Sequence, residues 1–135
     1  MRRVVNALRR DARGASAIEF ALVVPFLVCI IVGVAQMGRM YMANAGLRNL
    51  VADSARFASI SPRPSDDAIK ARLRSGGFGL QAGSLSEPVV TYGAQNGANW
   101  ADITMTYSLQ LDFIFWQPAP TRIVEQRRVY IYPAA

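Results

Sequence analysis

Phe20 to Ala35 contains no charged residue, and the wider window Ala15 to Gly38 admits only Glu19 and Gln36 as strongly polar side chains. Coiled as a helix, that window spans roughly 36 Å, enough to cross a hydrocarbon core of about 30 Å. Before it stand Arg2, Arg3, Arg9, Arg10 and Arg13 against a single acid, Asp11. Short flanks rich in arginine stay on the cytoplasmic side, so the N-terminus is expected in the cytoplasm and everything beyond Arg39 outside.

A cleaved secretory signal would have a shorter apolar stretch closed by a small-residue cleavage site and a break in the helix. Here the helical pattern continues. Met40, Ala43, Leu47, Leu50, Val51, Phe57 and Ala58 recur at three- and four-residue spacing, while Arg39, Asn44, Arg48, Asn49, Asp53 and Arg56 take the other faces. The spacing predicts one helix from Ala15 to Ser59, lipid-embedded in its first half and amphipathic in its second. Ser61-Pro62-Arg63-Pro64 ends it, because proline cannot donate to the helical ladder and disfavours helix in the residue before it.

The formal charge of +6 would ordinarily suggest nucleic acid as a partner. Its distribution argues otherwise. Residues 1–14 account for +4 of it, five arginines against one aspartate, and residues 15–135 are nearly balanced at ten bases against eight acids. No basic patch with interleaved aromatics remains to contact phosphates, so no nucleic acid is expected. The chain lacks histidine, which removes the commonest metal ligand and general base. Cys29, the single cysteine, lies inside the apolar run, so no internal disulfide can form. Asp102 and Asp112 share a face of one predicted strand but lie roughly 33 Å apart along it, too far for paired-carboxylate chemistry. An enzyme is not expected, nor a metal or a cofactor.

Glu19 demands a reason. An ionisable group just inside a membrane segment costs several kcal/mol unless it reaches the interface, neutralises or finds a partner. One reading places it at the cytoplasmic interface, favoured by the helix dipole. Pro25 likewise has two readings: a tolerated kink in a membrane helix, or a point that bends or melts as the helix moves from bilayer to polymer.

The residues around Glu19 shift the balance. Arg13-Gly14-Ala15-Ser16-Ala17-Ile18-Glu19-Phe20 resembles the processing site of type IV pilins and their relatives. That resemblance implies a cut by a prepilin peptidase between Gly14 and Ala15, with Glu19 fifth in the mature chain. Glycine permits close backbone approach to a protease. A glutamate at this depth would pair with the new α-amino group of a neighbouring subunit, offsetting the cost of either charge alone. The run continuing through Phe20-Ala21-Leu22-Val23-Val24-Pro25, with Gly38-Arg39-Met40-Tyr41 and Ala52-Asp53-Ser54-Ala55-Arg56 beyond, is more closely similar to the TadE-like minor pilins or pseudopilins of tight-adherence (Tad) pilus systems. Ala15 stands where type IV pilins usually carry phenylalanine at the first mature position.

Further on, Ser65 before Asp66-Asp67 reads as the N-cap of a short second helix ending in basic residues. Gly76-Gly77-Phe78-Gly79 closes it as a turn; the spacing and context of a phosphate loop are lacking. Val89-Val90-Thr91-Tyr92 predicts a strand, with a turn at Gln95-Asn96-Gly97. Ile103, Met105, Tyr107, Leu109, Leu111 and Phe113 alternate with polar residues and predict a second strand over Asp102–Phe113. Arg122 to Tyr132 predicts a third, with Val129 and Ile131 opposite Tyr130 and Tyr132, an arrangement suited to cover on both faces. Phe113-Ile114-Phe115-Trp116 reads as completing the core, with contact to other subunits as the alternative.

The expected fold class is therefore α+β and pilin-like. A long N-terminal helix, membrane-embedded in its first half, packs on a small antiparallel sheet with a short second helix. The expected organisation is a cleaved leader at 1–14, a membrane or polymerisation half-helix at 15–38, an amphipathic half at 39–60 and an extracytoplasmic module at 61–135. The resemblance implies a minor pilin or pseudopilin with Gly14 and Ala15 at the processing site and Glu19, Phe20 and Pro25 serving assembly. Its implied partners are a prepilin peptidase, other pilins or pseudopilins, the inner-membrane assembly platform and membrane lipid. The alternatives are an unprocessed single-pass anchor bearing a binding or scaffold domain, and a type II secretion pseudopilin.

Overall fold

The structure is a computed structural model that describes residues 12–81 and 84–132, with positions 12, 13 and 15 described in backbone only. The basic leader up to Asp11 lies outside the described residues. Helix α1 runs unbroken over Ala12–Ala58, close to the expected bounds. Ser59 closes it: its hydroxyl donates to the Arg56 carbonyl at 2.7 Å, and its N–H is shared between the Ala55 and Arg56 carbonyls at 3.2 Å each. Those bonds satisfy carbonyls that have no partner inside the last turn.

Helix α2 spans Asp66–Arg74 and is capped as expected, the Ser65 hydroxyl accepting from the Ala68 N–H at 3.3 Å. Its acids stand in the first turn and Arg72 and Arg74 in the last, matching the dipole. Ile69 and Leu73 face inward and are fully buried, while Arg72 donates twice to Asp53 of α1, at 2.7 and 2.9 Å.

Three strands follow, β1 (Val89–Gln95), β2 (Ala98–Leu109) and β3 (Thr121–Ile131), forming an antiparallel meander in the order β1-β2-β3. Asn96 and Gly97 join the first two with positive φ angles of 52° and 77°. A two-residue hairpin with both central residues left-handed matches the natural twist of the strands, and Asn-Gly is the pair that adopts it most readily. Ile103, Met105, Tyr107 and Leu109 project from β2 onto the second half of α1, meeting a stripe formed by Ala43, Leu47, Leu50, Val51, Ala55 and Ala58. Helix, sheet and α2 thus share one core.

Three expectations fail in this region. β2 stops at Leu109, not Phe113, because its partner β3 begins at Thr121 opposite Leu109 and the ladder between them ends there. Pro118 and Pro120, which lack N–H donors, keep the returning chain out of the sheet. The Phe113–Trp116 segment consequently does not complete the core: Ile114, Phe115 and Trp116 are 52%, 82% and 65% exposed. Among the described residues the outer sheet face is also uncovered, with Tyr130 and Tyr132 standing out at 68% and 60% exposed. Both α1 and α2 pack on the other side.

Candidate functional site

The apolar half of α1 is the segment that the sequence marks for function, and it makes no use of the core. From Phe20 to Ala35 its side chains are exposed or at most half-buried, and the most apolar stretch has no buried residue. By length and composition α1 is the one helix among the described residues able to cross a membrane. The bare half is a candidate membrane anchor, since large apolar surfaces of this kind mark contact with lipid or protein.

Gly14 and Ala15 lie in the first turn of α1. Their backbone is helical and not extended, so a protease that binds extended chain must first unwind that turn. Glu19 follows on the same helix, one turn beyond Ala15 on the same face. Its side chain is exposed and makes no hydrogen bond or ion pair among the described residues. Phe20 is 71% exposed. Pro25 is exposed too, and α1 stays helical across it, although proline supplies no N–H for the Ala21 carbonyl.

The sequence reading missed what ends the bare half. Gln36 is buried, its amide nitrogen donating to the Asp112 backbone carbonyl in the loop between β2 and β3, while Arg39 Nη1 donates to Gln36 Oε1 at 3.1 Å. A polar residue closing an apolar run was the available signal; its partner, 76 positions away, had none. Asp112 thereby sits outside the strand to which it was assigned. Gly46 was missed as well. The loop after α2 lies so close that a Cβ at Gly46 would collide with the Phe78 carbonyl oxygen, and a Cβ at Gly77 would come into van der Waals contact with the Gly46 carbonyl. The Gly76–Gly79 segment is therefore a packed seat on the helix and more than a turn.

Several charged groups in the module are paired structurally. Arg128 grips Asp102 with two bonds of 2.7 and 2.8 Å while its guanidinium lies 4.1 Å above the Trp100 ring. Those hydrogen bonds hold the Asp102 carboxyl below the ordinary carboxylate range. Tyr92 donates to Asp66 at 2.5 Å beneath the Arg63 guanidinium. Burial first, and the bond to Asp66 second, push its hydroxyl above the usual value. Among the described residues no three acidic or cysteine side chains gather where a metal could be held. A cavity of ≈ 460 Å³ beside Tyr41, Gly46 and Phe78 has Asp53 as its only acidic lining residue.

Fold and site together define a small α+β module built onto the far half of a helix whose near half is free for membrane or polymer contact. The family model described as TadE-like protein matches residues 14–56. The chain is thus similar to that family along nearly all of α1, which bears out the resemblance read from the sequence. No curated protein and no solved structure matches it.

Proposed function

We propose that this protein is a minor pilin or pseudopilin of a Tad-type pilus, cut by a prepilin peptidase between Gly14 and Ala15. It is held single-pass in the bacterial inner membrane, with its N-terminus in the cytoplasm and its module outside, until it joins other pilins through the assembly platform. The role is structural, without catalysis or cofactor. The observation that carries this reading is the division of α1. One half is locked into the module, and the other offers a bare apolar surface with Glu19 near its start. Cleavage would create an ammonium at Ala15 of each subunit, and Glu19 of a neighbour is the acid placed at the right depth to receive it. Pairing removes two isolated charges from an apolar bundle, where each alone costs several kcal/mol. The TadE-like match over residues 14–56 supports the tight-adherence system over type II secretion.

The test is a comparison of Glu19→Ala with wild type for two readouts, processing and recovery in sheared pilus fractions. Processing is expected to continue and recovery to fall sharply. Normal recovery of the variant would remove Glu19 from assembly. If instead wild type itself is absent from pilus fractions, the protein is a tethered scaffold.

A further inference from the structure

The ribbon between β2 and β3 stands where the bare half of α1 ends. β2 travels along α1 toward that half: Tyr107 and Leu109 line one small cavity with Arg39 and Met42, and further on the Asp112 carbonyl accepts from Gln36. The chain then turns at Phe113–Trp116 and re-enters the sheet at Thr121, opposite Leu109. That turn is the part of the module lying beyond the sheet on the side of the apolar run. It is also closed on itself. Phe113 and Trp116 exchange backbone bonds of 3.1 and 3.2 Å, their rings stack with centroids 5.8 Å apart, and at the base Gln110 Nε2 donates to the Pro118 carbonyl at 2.9 Å. Closure holds Ile114, Phe115 and Trp116 outward, and no residue from Phe113 through Thr121 carries a charge.

We propose that the Phe113–Trp116 turn is a second, interfacial membrane anchor, seated in the headgroup and upper acyl region of the leaflet facing the module. The inference rests on the reading that α1 crosses the bilayer. Lipid is the fitting occupant because the turn is tied by Gln36 to the end of the apolar run. Arg39, the first charge after Glu19, binds the same Gln36 at a level suited to lipid phosphates. Indole and phenyl groups on a charge-free tip favour that boundary, where an apolar body is shielded and an N–H stays wet. The Gln36 bond then fixes the height of the module above the membrane.

The full chain, reconstituted in phosphatidylcholine and phosphatidylglycerol vesicles, tests this by tryptophan quenching. Subtracting the emission of Trp116→Phe from that of wild type isolates Trp116 and leaves Trp100 untouched. Trp116 is expected to lose most of its emission to bromines placed high on the acyl chains and to be spared by aqueous iodide. The double variant Ile114→Ser, Phe115→Ser should restore iodide access. Free quenching of wild-type Trp116 by iodide would overturn the proposal. So would shielding from both quenchers that grows with the protein-to-lipid ratio, since that denotes contact between copies. Cys29 reports the span separately, through resistance to a membrane-impermeant maleimide until detergent is added. A protected Cys29 with a water-exposed Trp116 defeats the second anchor alone; a reactive Cys29 in intact vesicles defeats the spanning reading as well.

Discussion

Gly46 receives the loop after α2 so closely that any side chain must push the Phe78 backbone away. Gly46→Val is expected to destabilise the module by about 1–3 kcal/mol, the usual cost of overpacking, read as a lower urea midpoint in detergent. Ser54 behaves in the opposite sense. Its hydroxyl oxygen is buried without a hydrogen-bond partner among the described residues, so Ser54→Ala should leave stability unchanged or raise it by about 1 kcal/mol. Asp102 links stability to acid. Its carboxyl titrates below the ordinary value of 3.8 when folded, so the folded state holds the proton less tightly than the unfolded chain. The contribution is present in full above the ordinary value and is lost as pH falls through the lowered one. Asp102→Asn should therefore flatten the acid limb of the stability profile below the ordinary value of 3.8. An unchanged limb would show that the Arg128 pair does not set it.

At the scale of elements, stability resides where the second half of α1 meets β2. Leu47→Ala removes a fully buried side chain and is expected to cost about 2–5 kcal/mol, with helix and sheet signals still melting together because they share one core. Pro25→Ala, outside that core, should leave the same melt unchanged. The alternation from Ile103 to Leu109 and the stripe from Ala43 to Ala58 were legible in sequence because burial on one face imposes a period. Ser65 and Asn96-Gly97 were legible because caps and tight turns need those side chains. The end of β2 was not. Leu111 and Phe113 continue the period, yet a strand ends where its partner does, and the start of β3 is a tertiary fact. The exposed tip from Ile114 to Trp116 was misread for a related reason: aromatic runs usually fill cores, and nothing local shows that this core is already full. The Gln36 bond to the Asp112 carbonyl joins residues too distant in sequence for any local pattern to report.

The whole molecule is one helix serving two environments. Its far half is consumed by the module, and its near half has no use for the module at all. Such a division is intelligible if the near half is meant for lipid first and for other subunits afterwards, with Glu19 waiting for a charge that appears only when the leader is removed. Gly14 and Glu19 stand out in the sequence only through the resemblance that runs from Arg13 to Phe20. The helix around Glu19 was expected, whereas its extension back to Ala12, which takes in Gly14, was not. The direct measurement is the intact mass of the membrane-extracted protein from cells that contain the cognate peptidase. A chain beginning at Ala15 is the expected result, and one that still carries Met1 and its arginines would contradict the proposed maturation.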